Sequence, residues 1–216
     1  MKRRVLSMEN DPRWEQYKLF SAYAFPCAGL AVPVDITGLY EWMQRERKPV
    51  FLTLLYLVSR AANRVPELRR RLLPDGTVVE YDLCQPSYTA MKPDGAYVYV
   101  DVDGGITAIR AFCAQGKANQ AAAIEKGVLA EGGDVLDHFF ISSVPWLPYV
   151  QIKLPGGMPG DSHPRISWGQ YREENGRVRI PVTLYVHHAL ADGLHISRFF
   201  ENLRRELDAI TNNKEI

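Results

Sequence analysis

Apolar and polar residues alternate most cleanly near the end of the chain. From Arg179 to Val186, Val182, Leu184 and Val186 share one face by the period-two rule, while Thr183, Tyr185 and His187 share the other. A strand is predicted there, with His188 continuing its apolar face. Beyond it, Leu194, Phe199, Phe200, Leu203, Leu207 and Ile210 recur at helical spacing, so a helix begins within a residue or two of Gly193. The chain must turn sharply in between. Glycine tolerates backbone conformations that such a turn can require, and Asp192 beside it can cap the new helix or hold a cation.

The same patterns organise the rest. Asp11 to Phe20 reads as a short helix capped by Asp11 with Pro12 at its first position. Arg13 then sits at the positive end of the helix dipole, which calls for a carboxylate partner. Ala28 to Ile36 reads as a strand, Thr37 to Arg47 as a helix, and Pro49 to Asn63 as a longer apolar helix. Thr77 to Asp82, Ser87 to Met91 and Ala96 to Val102, separated by turn signals, read as a meander of strands. Ala111 to Leu129 is alanine-rich and helical, ending before Gly132-Gly133, and His138 to Val144 returns to a strand. Leu154 to Ser162 is a glycine- and proline-rich loop within the domain. Strands and helices alternate irregularly with hairpins among them, which predicts an α/β two-layer sandwich with a mixed β-sheet.

Composition narrows the function classes. At 216 residues one domain, residues 1–216, is expected. A formal net charge of +1 creates no global field for nucleic acid or an anionic membrane, so neither is expected as a partner. The basic run Arg69-Arg70-Arg71 reads as a solvated helix end. No apolar stretch follows the basic N-terminus and none approaches the roughly 20 residues that span a bilayer, so a cytoplasmic location is expected. Cys27, Cys84 and Cys113 are scattered and lack metal-ligand spacing, which predicts buried free thiols rather than a disulfide framework or a zinc site.

An imidazole at the end of a buried strand can take a proton from a hydroxyl and return it to a leaving group near neutral pH, which makes the His187-His188 pair a candidate general base. On local pattern alone, ordinary strand-end histidines and a simple aspartate cap fit equally well. His195, three residues after Asp192, invites a metal triad with His188 and Asp192, but no fourth ligand supports it and no metal is expected.

Wider strings decide between these readings. His187-His188-Ala189-Leu190-Ala191-Asp192-Gly193 fits the HHxxxDG signature of the chloramphenicol acetyltransferase family, which the chain resembles from about Arg13 to Leu207. Phe140-Ile141-Ser142-Ser143-Val144-Pro145-Trp146 fits that family's strand ending in Pro-Trp, and Arg13-Trp14-Glu15-Gln16-Tyr17 fits its N-terminal helix. The resemblance implies His188 as catalytic base, Ser142 as oxyanion donor (with Ser143 the neighbour one register away), and an Arg13–Asp192 pair that, with Gly193, supports the site. It places Ser167 where the family has a water-binding threonine, and implies substrate contacts from Tyr171, Phe20, Cys27 and Trp146. It further implies acetyl-CoA as co-substrate, direct transfer to a small-molecule hydroxyl with chloramphenicol as first acceptor and another hydroxylated molecule as second, and a homotrimer with interfacial active sites. The loop from Leu154 departs from the family pattern and puts acceptor choice in question. Other classes that share the motif are 2-oxo acid dehydrogenase acyltransferases, whose lipoyl module is not seen here, and two-lobed condensation domains. A non-catalytic ligand-binding oligomer is a further alternative.

Overall fold

The alternating and apolar runs fold into ten strands and five α-helices among the described residues, which are 2–129, 135–156 and 161–211 of a computed structural model. In chain order these are β1 (Arg3–Leu6), α1 (Trp14–Ser21), β2 (Cys27–Asp35), α2 (Thr37–Glu46), α3 (Val50–Asn63), β3 (Arg70–Leu72), β4 (Val78–Tyr81) and β5 (Gln85–Met91). They continue with β6 (Tyr97–Asp101), α4 (Ile109–Lys126), β7 (His138–Ser143), β8 (Arg165–Trp168), β9 (Arg172–Glu174), β10 (Arg177–His187) and α5 (Gly193–Thr211). The main sheet runs β2-β10-β8-β7-β5-β6, with β9 paired to β10. The pairs β5–β7 and β7–β8 are parallel and the others antiparallel, so the sheet is mixed.

Helices cover one face of this sheet. Val182, Leu184 and Val186 of β10, Ile166 and Trp168 of β8 and Ile141 of β7 point into the core under them. α3 is apolar almost all round because it lies inside that layer, and α5 buries Ile196, Phe199, Leu203, Leu207 and Ile210 at helical spacing. Buried Glu206 of α5 pins the two helices together by accepting from Arg60 at 2.7 Å and Arg64 at 2.6 Å. Each large apolar side chain buried here contributes about 1.5 to 3 kcal/mol. The architecture is the expected two-layer α/β sandwich.

The other face is polar, and the strand registers arrange it in rows. One row is Ala31, Thr183, Ser167 and Ser142; the next is Gly29, Tyr185, Arg165, Phe140, Ser87 and Asp101. Gly29 has to be glycine, since a Cβ there would meet the Tyr185 ring at 2.4 Å.

Several expectations are corrected. β4 does not continue into β5 as a meander; it forms a separate sheet, β1-β4-β3, and of the three expected strands β5 and β6 pair as a hairpin. The first helix starts at Trp14 with Arg13 at its N-cap, because Asp11 Oδ1 accepts from the Arg13 N–H at 2.9 Å and holds the preceding turn. α4 stops at Lys126, where Gly127 adopts φ +69°, rather than near Gly132-Gly133, which lie outside the described residues along with Gly157 to Gly160. The basic run is not solvated. Arg71 is fully buried and donates to the carbonyls of Leu68 (2.9 Å), Arg70 (2.6 Å) and His138 (2.8 Å). Cys84 and Cys113 are buried free thiols, but Cys27 is exposed, and so is Leu194.

Candidate active site

β10 ends at His187, and the turn that follows is held by its carbonyl, which accepts from Leu190 N (2.9 Å) and Ala191 N (3.0 Å). Asp192 then caps α5: its Oδ1 accepts from Leu194 N at 3.0 Å and its carbonyl from Ile196 N at 3.0 Å. Gly193 has no positive φ and open space around it, so the turn itself does not demand glycine.

His188 keeps the ladder for one more step, its N–H donating to Pro26 O at 2.7 Å. Its ring leaves the sheet and stands against Phe20, with centroids 4.0 Å apart. Nδ1 lies 3.1 Å from the Ala191 carbonyl, which can only accept. The neutral ring therefore carries its hydrogen on Nδ1, and Nε2 keeps the lone pair needed to take a proton. His187, by contrast, is buried on the polar face, and burial pushes its pKa down. It stays neutral beside His188.

The Arg13 guanidinium does two things. One arm pairs with Asp192 Oδ2, and Nη2 donates to the His188 carbonyl at 2.9 Å. Asp192 Oδ1 also lies 2.8 Å from Nδ1 of His195, whose Nε2 is 3.6 Å from Glu67. Glu67 faces Arg70, and Arg70 pairs with Asp11, the residue that fixes the Arg13 backbone. Arg13, Asp192, His195, Glu67, Arg70 and Asp11 thus form a closed ring of polar contacts beneath the His188 turn. His195 sits in that ring with its pKa held down, chiefly by burial, and with Arg13, Arg198 and Arg70 reinforcing against Glu67. Nδ1 of His195 lies within reach of both the Asp192 carboxylate (2.8 Å) and the Asp192 N–H (3.1 Å), so its tautomer decides whether it donates to the one or accepts from the other. Sequence reasoning missed this role, and the only signal was the three-residue spacing from Asp192.

Ser142 lies on the polar face of β7, where two cavities meet. A cavity of about 200 Å³ is lined by Ser142, Ser87, Thr89, Phe140, Leu154 and Arg165. A cavity of about 700 Å³ opens at the strand end, between Ser142, Phe51, Tyr97, Lys117, Gln120 and Trp146. Ser143 lines the second but not the first. Ser167, fully buried, stands beside Ser142 in the same row. Cys27 lines a third cavity of about 420 Å³ on the same face, contiguous with the first through Leu154, Pro155 and Arg165. Tyr171 packs on Tyr40 of α2 and is not among the described residues that line either of these two Ser142 cavities.

The structure does not bring Ser142 and His188 together in one chain. Ser142 aligns with Ser167 and that residue with Thr183, two strands across and five residues short of His188. The separation is about 17 Å along the strands and about 10 Å across them.

The sequence and the fold both have known counterparts. The chloramphenicol acetyltransferase family model matches residues 3–204. A chloramphenicol acetyltransferase of Vibrio anguillarum is 29% identical over 209 residues, covering 93% of each chain. A solved chloramphenicol acetyltransferase superposes with a TM-score of 0.80 at 24% identity, covering 95% of this chain and 100% of its own. The dihydrolipoamide acetyltransferase of Azotobacter vinelandii shares the fold at a TM-score of 0.68 and 16% identity, covering 93% of this chain and 87% of its own. The matched span takes in the Arg13 helix, the Ser142 strand and the His188 turn, so the chain belongs to the chloramphenicol acetyltransferase family and is an acetyl-CoA-dependent O-acetyltransferase.

Proposed function

We propose that the protein moves the acetyl group of acetyl-CoA onto a hydroxyl of chloramphenicol, with His188 as base and Ser142 as oxyanion donor. The observation that carries this reading is the His188 ring, oriented by the Ala191 carbonyl so that Nε2 is the proton acceptor. His188 removes the hydroxyl proton as oxygen attacks the thioester carbonyl. The Ser142 hydroxyl donates to the oxyanion of the tetrahedral intermediate, and the proton then passes from His188 to the departing CoA thiolate. No covalent enzyme intermediate is required. Ser142, at the junction of two cavities, would face the acceptor on the Arg165 side and the acyl-CoA on the Lys117 side.

One chain cannot supply both groups across the separation given above. A second copy therefore completes each site, in a closed homotrimer where His188 of one subunit faces Ser142 of the next. No helix among the described residues is long and apolar enough to cross a membrane, and we place the enzyme in the cytoplasm with its acetyl-CoA supply.

The test is release of CoA thiol from acetyl-CoA with and without chloramphenicol, run beside His188→Ala. Chloramphenicol-dependent release that the variant loses supports the reading. Release that is independent of acceptor, or retained by the variant, sinks it.

A further inference from the structure

The cavity next to the Ser142 cavity carries a charge pattern that an uncharged acceptor does not need. Cys27, His187, Tyr185 and Arg165 floor it from three adjacent strands, and Lys153, Asp161 and His163 wall it. Arg165 stands in the wall between the two cavities, its side chain only 13% exposed. Its guanidinium lies over the Phe140 ring and donates to Asp161 and to the His163 carbonyl. Those two bonds use two of its five N–H donors. Lys153 Nζ lies 3.7 Å from the Phe25 ring centroid in the same cavity. Leaving the histidines aside, Lys153 and Arg165 against Asp161 give the lining one net positive charge. The buried His187, 4% exposed, adds an Nδ1 with no hydrogen-bond partner.

A net cation with spare donors in a small, part-buried cavity is compensated best by an anion, and a guanidinium matches the two oxygens of a carboxylate. We infer that Arg165 is a specificity-determining residue, and that among hydroxylated acceptors the enzyme prefers those that also carry a carboxylate over uncharged ones such as chloramphenicol. Arg165 aligns with Phe140, two residues before Ser142, so hydroxyl and carboxylate sit about 7 Å apart along the strand direction, comparable to the span of a phenyl ring. The hydroxyl end of this inference rests on the acetyl-transfer reading above; the anion end rests on the cavity alone.

Chloramphenicol and its analogue with the nitro group replaced by a carboxylate are nearly isosteric and differ by one charge. Both are measured by equilibrium binding and by acetylation on the whole protein. The expected result is at least tenfold tighter binding and lower KM for the carboxylate. Lys153→Gln, at an exposed residue whose loss should not affect folding, reduces the preference. Asp161→Asn, which adds one unit of net positive charge, enlarges it, and Arg165→Leu brings it within about twofold of parity. Equal binding of the two molecules by the wild type, preference for the nitro compound, or shifts of the same sign in Lys153→Gln and Asp161→Asn would overturn the inference. Carboxylate-selective binding without acetylation of either molecule upholds the cavity assignment and counts against the transfer reading instead.

Discussion

Arg13 and Asp192, 179 positions apart in the chain, form an ion pair that ties the N-terminal helix to the start of the C-terminal one. Because the same guanidinium also holds the His188 carbonyl, the pair fixes the turn from which the imidazole projects. Its side chains are 13% and 31% exposed, so it lies between a surface pair and a buried one.

Removing one partner should therefore cost stability and geometry together. Arg13→Ala is expected to destabilise the protein by roughly 2 to 3 kcal/mol, below the full cost of breaking a buried pair. It should lower kcat at least tenfold with a smaller change in KM, since His188 is misplaced rather than removed. Arg13→Ala/Asp192→Ala should cost less than the sum of the single changes, because neither charge is then left alone. Urea unfolding and steady-state kinetics on the three variants check this, and strict additivity would argue against a functional pair.

The buried histidines set opposite pH dependences of stability. His187 and His195 have folded pKa values below the ordinary 6.5, so their contribution is complete above pH 6.5 and is lost as pH falls toward those lower values. His138 is the reverse. Burial lowers its pKa, but Asp101 and Asp137 outweigh that and raise it, so its contribution is complete below pH 6.5 and is lost as pH rises through the raised value. Tm measured between pH 8 and pH 5 should fall on the acid side. His195→Asn should flatten that acid fall, while His138→Gln should remove only the loss on the alkaline side.

The main layer was legible because its elements are long enough to show their period. β10 alternates over eleven residues, and α3 and α5 carry apolar faces of several turns. β1 and β3, of four and three residues, are too short to display one. That β4 leaves for a second sheet is a matter of pairing, which local pattern does not encode. The β9–β10 hairpin did have a signal in Asn175-Gly176, both at positive φ as such a turn requires. Arg71 defeats the rule that arginine runs are solvated because three backbone carbonyls accept from its two Nη groups inside the protein, although its buried Nε has no partner. At the site, Arg13's need for an anion was readable from the helix dipole, whereas its identity as Asp192 came through family resemblance. His195 was not readable, since its partner Glu67 lies 128 positions away.

The separation of Ser142 and His188 yields the sharpest expectation. Ser142→Ala alone should lower kcat by about 100- to 1,000-fold, the usual cost of one oxyanion donor, with Ser143→Ala near wild type. His188→Ala should remove nearly all activity. When the two inactive chains are coexpressed in equal amounts, a site needs an intact His188 from one subunit and an intact Ser142 from its neighbour. Random assembly of a closed ring meets both conditions in about one quarter of sites. The mixed oligomers should therefore recover about a quarter of wild-type activity per site, far above either parent. If each chain built its own site, no mixture could contain a complete one, and activity would stay at the average of the two variants.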